Sequence, residues 1–116
     1  MKILIIDDER SIRNSLKEIL VDEGYDVDVA ENGAQGCEMV DKEKYSVIFC
    51  DIKMPEMDGM EVLDRFNQMG IDAAVVMISG HGDIAVAVEC IKKGAFDFIP
   101  KPLDLNRILI TIKNAT

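Results

Sequence analysis

Ile3-Leu4-Ile5-Ile6-Asp7-Asp8-Glu9 decides the fold: a short, wholly apolar run that stops on consecutive acids. A run this short and this apolar reads as a strand covered on both faces, as in the middle of a parallel sheet. The design returns at Val47-Ile48-Phe49-Cys50-Asp51, and residues 74–79 are again nearly continuous apolar. Residues 25–30 differ. There Tyr25, Val27 and Val29 alternate with Asp26 and Asp28, which predicts an edge strand with one wetter face. With a last short run at 96–99, the predicted strands are 3–7, 25–30, 46–51, 74–79 and 96–99.

Between the strands the apolar period becomes that of a helix. Ile12, Leu16, Ile19 and Leu20 share one face, with Glu9, Arg10, Lys17 and Glu18 opposite, until Gly24. Ala34, Cys37 and Val40 mark a second helix. Val62, Leu63 and Phe66 mark a third, entered through Pro55 and Asp58-Gly59 and left at Gly70. Ile84, Ala87, Val88 and Ile91 mark a fourth, stopped by Gly94. Leu105, Ile108, Leu109 and Ile112 mark a fifth, with Asp104 as N-cap. Strict alternation of strand and helix implies an α/β architecture with helices on both faces of a parallel sheet and right-handed crossovers. Five such units in 116 residues predict one domain, 1–116. Its fold is a flavodoxin-like three-layer sandwich with five helices and strand order 2-1-3-4-5. In such sheets ligands bind beyond the carboxyl ends of the strands, where the order reverses between strands one and three. Asp7, Asp8 and Asp51 end those two strands.

Composition narrows the partners. Hydrophobic residues make up 48% of the chain, enough for one core, and the net charge is -9. That charge argues against direct contact with nucleic acid and favours cations and protein partners. No apolar run approaches a membrane span, and the chain enters a strand pattern at once, so a cytoplasmic protein without membrane attachment is expected. Cys37, Cys50 and Cys90 form no Cys-x-x-Cys pair and read as small hydrophobes in a reducing compartment. His81 reads as a solvated loop residue, and Met54, Met57, Met60 and Met77 as packing.

Each acid taken alone has an ordinary explanation, since carboxylates ahead of a helix cap its free N–H groups. Together they do not. Three carboxylates within ~5 Å repel by roughly 3 kcal/mol per pair at an effective dielectric near 20. Such a cluster calls for a cation, and magnesium suits hard oxygen ligands. Asp51 is then the nucleophile candidate, able to take a phosphoryl group as an aspartyl phosphate. Asp7 and Asp8 would hold the metal. Lys101, wedged before Pro102, would offer a point charge to the phosphoryl oxygens, and a cis bond there would aim it inward. Ser79, ending the fourth strand, would donate a hydroxyl hydrogen bond.

With these residues in place the chain resembles the receiver domains of bacterial two-component response regulators. The likeness is carried by Ile5-Ile6-Asp7-Asp8-Glu9, by Cys50-Asp51-Ile52-Lys53-Met54-Pro55-Glu56-Met57-Asp58-Gly59, by Met77-Ile78-Ser79-Gly80 and by Lys101-Pro102. It implies that Asp51 is the phosphoacceptor. It implies magnesium held by the side chains of Asp7, Asp8 and Asp51 and the backbone carbonyl of Lys53. Ser79 becomes the switch hydroxyl, Lys101 the family's lysine and Phe98 the switch aromatic. Phe98 stands where tyrosine is also common, so its coupling to Ser79 must be steric. The implied phosphodonor is a phosphohistidine on a sensor histidine kinase or phosphotransfer protein.

The resemblance also implies an output. A phosphoryl group at Asp51 would draw Ser79 and Lys101 inward and let Phe98 repack the face of the fourth helix, fifth strand and fifth helix. Val86 and Cys90 are expected off the core side of the fourth helix, and Ile110 off that of the fifth, which suits an output domain, an effector protein or a homodimer contact. The stretches 77–82 and 96–103 look most like receivers attached to AAA+ enhancer-binding transcription activators. Such a domain is a regulatory switch with limited self-catalysed phosphotransfer and autodephosphorylation, not a turnover enzyme. The enzyme alternative, a haloacid-dehalogenase-like phosphatase, wants Asp-x-Asp after its first strand, where this chain has an adjacent pair. A flavodoxin-like nucleotide binder wants a glycine-rich loop there, and none follows.

Overall fold

Alternate residues of a strand face opposite ways, and in the central strands of this protein both sets are apolar. The computed structural model describes residues 1–80 and 84–116. The reading of His81 lies outside the described residues. The elements run β1 (Lys2–Ile6), α1 (Arg10–Asp22), β2 (Asp26–Ala30), α2 (Gly33–Lys42), β3 (Val47–Asp51), α3 (Gly59–Met69), β4 (Ala74–Ser79), α4 (Ile84–Lys92), β5 (Asp97–Pro100) and α5 (Leu105–Ala115). All strand pairings are parallel, in the order β2-β1-β3-β4-β5. Every predicted strand forms within a residue of its expected ends, and β2 lies at an edge as its alternation predicts.

Two cores sandwich the sheet. Leu4, Ile6, Ile48, Cys50, Val75 and Met77 face the layer of α2, α3 and α4. Ile3, Ile5, Val47, Phe49, Val76 and Ile78 face the layer of α1 and α5. Polar side chains start three of the helices. Asn32 accepts from the Gln35 N–H, Asp58 from Glu61 and the predicted cap Asp104 from Asn106. Gly70 ends α3 in the left-handed conformation, at φ 68°, which glycine adopts without strain.

The helix faces need four corrections. In α4 the buried residues are Ala87 and Cys90, whereas Ile84, Val88 and Ile91, expected in the core, are exposed. Cys90 was expected on the outer side. This helix is apolar nearly all round, so periodicity alone does not select its inner face. In α5, Leu105 is exposed and Thr111 is buried beside Ile108 and Ile112, because the Thr111 hydroxyl reaches Asp97 of β5 at 3.4 Å. In α2, Ala34 is exposed and Gly33 and Gly36 are buried instead. In α1, Arg13 is buried with Leu16 and Leu20, while Ile12 and Ile19 are half-buried.

Candidate acidic metal and phosphoryl site

Strand register assembles the site. Ile6 pairs with Cys50, which sets Asp7 level with Asp51 at the carboxyl edge. Asp51 pairs with Ile78, and Ser79 with Pro100, so Ser79 and Lys101 follow at the same edge. Local structure then aims the side chains. The Lys101 N–H donates to the Ser79 carbonyl at 2.8 Å, and the Lys101-Pro102 bond is cis. Gly59 opens α3 directly against the end of β3, its N–H donating to Ile52 O at 2.7 Å. A Cβ at that position would overlap the Asp51 carbonyl oxygen and lie 2.8 Å from Ile52 Cα.

Asp7, Asp8 and Asp51 each offer a carboxylate oxygen, and these lie within 4.8 Å of one another. Asp7 and Asp51 are buried and Asp8 is exposed, so the cluster opens to solvent on one side. The Lys101 Nζ is 3.4 Å from Asp51 Oδ1, 3.6 Å from Glu9 Oε1 and 3.9 Å from Asp7 Oδ2. Asp7 divides its duties. Its Oδ1 accepts the Glu9 N–H at 2.8 Å, the capping role of an acid ahead of a helix, while its buried Oδ2 has no hydrogen-bond partner. The Ser79 Oγ is likewise buried and unpartnered. Buried polar atoms are rarely left so, and these two lie at one edge of the sheet.

The electrostatics agree. Burial, then the neighbouring charge of Asp7, raises the Asp51 pKa from 3.8 to about 6, against the pull of Lys101. Burial also raises the Asp7 pKa. At Lys101 burial works against the charged form, yet Asp51, Asp7 and Glu9 outweigh it and the net shift is upward. One ammonium does not neutralise this cluster. Carboxylate oxygens in this number, one orphaned, fit a hard divalent cation such as magnesium, which takes few protein ligands and keeps several waters.

The predicted residues Asp7, Asp8, Asp51, Lys101 and Ser79 thus meet at one edge. Lys53 lies in the loop two residues past Asp51, with its side chain exposed. Phe98 is half-buried on β5, opposite Met77 and packed against the core that holds Ala87 and Cys90. Two residues escaped the sequence reading. Glu9 is a third carboxylate on Lys101, beside Asp51 and Asp7, and Arg13 lies beneath the β1–α1 turn. The signal for Arg13 was its place at helical spacing ahead of Leu16 and Leu20, where an apolar residue belongs.

Clustered acids, a lysine and a buried hydroxyl thus lie together beyond the switch point of a doubly wound sheet. Residues 3–113 match the family described as response regulator receiver domain, and the chain belongs to that family. It is 39% identical over 115 residues to a putative response regulator NtrX-like from Rickettsia bellii (strain RML369-C), a match covering 97% of this chain and 24% of that protein. It is also 39% identical to the chemotaxis protein CheY of Listeria monocytogenes, over 99% of this chain and 98% of that one. The chain therefore spans about a quarter of the length of its NtrX-like relatives and nearly all of CheY. Among solved structures, the receiver domain of NtrX from Brucella abortus superposes with a TM-score of 0.93 at 36% identity, covering 97% of this chain and 96% of that one. Receiver domains are regulatory, pair with histidine kinases and output domains, and bind magnesium in an acidic pocket. No helix among the described residues is long and apolar enough to cross a membrane.

Proposed function

We propose that residues 1–116 form a cytoplasmic phosphorylation switch, in which Asp51 accepts a phosphoryl group from a phosphohistidine of a sensor histidine kinase or phosphotransfer protein. The supporting observation is the buried Asp51 carboxylate, with Lys101 Nζ at 3.4 Å and the orphaned Ser79 hydroxyl at the same edge. An Asp51 oxygen attacks phosphorus, the phosphorus–nitrogen bond breaks, and its electron pair leaves with the imidazole. Lys101 and Ser79 meet the phosphoryl oxygens with a charge and a hydrogen-bond donor. Asp7 and Asp8, with Asp51 and the Lys53 carbonyl, would hold magnesium, which supplies charge neutralisation between the carboxylates and the incoming anion.

Ser79, drawn toward the new oxygens, vacates space for Phe98, and the face of α4, β5 and α5 repacks. Exposed apolar residues on that face (Ile84, Val88, Ile91, Phe96 and Ile110) suit an output domain, an effector or a second copy. The NtrX-like relatives favour control of transcription as the output. This domain would act without touching nucleic acid itself. Incubation with acetyl phosphate and magnesium tests the reading. About one phosphoryl group per chain is expected, none of it in Asp51→Asn. Release of phosphate over many cycles from varied esters would instead identify a phosphatase, and undiminished labelling of Asp51→Asn would overturn the assignment.

A further inference from the structure

We infer that Arg13 is a positioning residue for the metal-binding turn, acting on Asp7 and Asp8 through the Asp7 carbonyl; this rests on the metal site proposed above. Among the described residues, the buried polar or charged side chains are Asp7, Asp51, Ser79, Thr111 and Arg13. Three belong to the site, Thr111 of α5 reaches Asp97, and Arg13 is the one cation. It is 8% exposed and takes a position on α1 where leucine would bury more comfortably. Removing a guanidinium from water costs several kcal/mol unless its donors are used.

The donors go to the site. Arg13 Nη1 donates to Asp7 O at 2.8 Å, while Nη2 lies 3.8 Å from an oxygen of the exposed Glu31. The second contact is long and solvated, and such pairs contribute little. The first is buried and falls where the backbone lacks a regular partner. β1 ends at Ile6 and α1 begins at Arg10, with Glu9 as an N-cap whose side chain makes no capping hydrogen bond. The Asp7 carbonyl belongs to the peptide unit joining Asp7 to Asp8. Holding that oxygen restrains the plane, and with it the ψ torsion of Asp7 and the φ torsion of Asp8, which set where both side chains start. Asp7 Oδ1 is already tied to the Glu9 N–H, so the pair of bonds leaves Oδ2 as the free, aimed ligand.

Charge alone would act with the opposite sign. Arg13 shares with Asp8 the wall of an open hollow of 310 Å³, and a cation there repels an incoming metal ion. The two roles therefore separate by experiment. Magnesium affinity is measured by titration calorimetry at pH 7.5 on Arg13→Met, Arg13→Lys and Glu31→Gln, with urea unfolding in EDTA to establish that each variant is folded. Orienting partners of metal ligands are typically worth 10–100-fold in affinity. We expect about tenfold weaker binding in both Arg13 variants, because lysine keeps the charge but not the forked donor, and less than twofold change in Glu31→Gln. Tighter binding in Arg13→Met, or binding within twofold of wild type in folded Arg13→Lys, overturns the inference. A loss in Glu31→Gln equal to that in Arg13→Lys also overturns it, since the effect would then run through Glu31. If Arg13→Met does not fold, Arg13→Lys decides. A wild-type domain that does not bind magnesium would sink the site reading itself, a result distinct from any of these.

Discussion

Replacing Asp51 with asparagine should stabilise the metal-free domain, although it removes a partner of Lys101. Asp51 is 3% exposed, and its pKa rises from an ordinary 3.8 to about 6 on folding. The folded state therefore holds the proton more tightly than the unfolded state. Between about pH 4 and 6 the native protein binds more protons, so its stability falls as pH rises through that window and levels off above it. The full displacement is worth about 3 kcal/mol at about 1.4 kcal/mol per pH unit. Asp7 shifts in the same direction and adds to the slope, while Lys101 stays charged across the window and adds none. Asparagine resembles the protonated carboxyl and escapes the penalty. Urea unfolding in EDTA at pH 7.5 should show Asp51→Asn more stable by about 3 kcal/mol, with the gap shrinking to about 1 kcal/mol at pH 4.5. Saturating magnesium should narrow or reverse the gap at pH 7.5, because the ion binds the wild-type carboxylates and stabilises by mass action. An asparagine variant no more stable than wild type at pH 7.5, or a gap that ignores pH, would refute the claim that burial of the Asp51 charge, reinforced by Asp7, dominates this site.

Ser79→Ala removes a buried hydroxyl without a partner, so it should raise resting stability by about 1 kcal/mol in urea unfolding; a loss of similar size would mean that the hydroxyl is bonded. Gly59→Ala should cost about 3 kcal/mol, since its methyl meets the backbone of Asp51 and Ile52, which cannot rotate away; a change under 1 kcal/mol would show that α3 can slide. Val88→Lys and Ile91→Lys should change stability by less than about 0.5 kcal/mol, whereas Cys90→Asp should cost more than about 2 kcal/mol. Equal losses at these three positions would contradict the inner face seen for α4.

The strand order and the meeting of Asp7, Asp8, Asp51, Ser79 and Lys101 were legible because each rests on a strong local pattern. A wholly apolar run specifies a buried strand, and the residue closing it lies at the carboxyl edge whatever its neighbours do. Parallel register then does the rest, setting Ile6 beside Cys50 and Ser79 beside Pro100. The division of Asp7 between a helix-capping oxygen and an orphaned one was not legible, nor was Glu9 as the third carboxylate on Lys101. Both depend on rotamers that the β1–α1 turn selects, and no spacing rule encodes a rotamer.

The misread faces of α2 and α4 share one cause. Apolar periodicity weighs side chains with area to hide, and so it set Ile84, Val88 and Ile91 beside Ala87 in α4 and passed over Gly33 and Gly36 in α2, where Cys37 and Val40 do pack against the core. Where a helix presses closest to its neighbours, however, small residues win because nothing larger fits. A Cβ on Gly36 would come within 2.5 Å of Ile6 Cδ1, and one on Gly33 within 2.6 Å of Val62 Cγ2. Ala87 and Cys90 form the corresponding inner face of α4, against the core that contains Met77 and Phe98. The bulky residues are thereby turned outward, which is why α4 exposes Ile84, Val88 and Ile91 although its sequence is one of the most apolar in the chain. Close packing at the sheet and an apolar outer surface are thus two results of one constraint, and exposure on α4 follows from the small size of the residues beneath it.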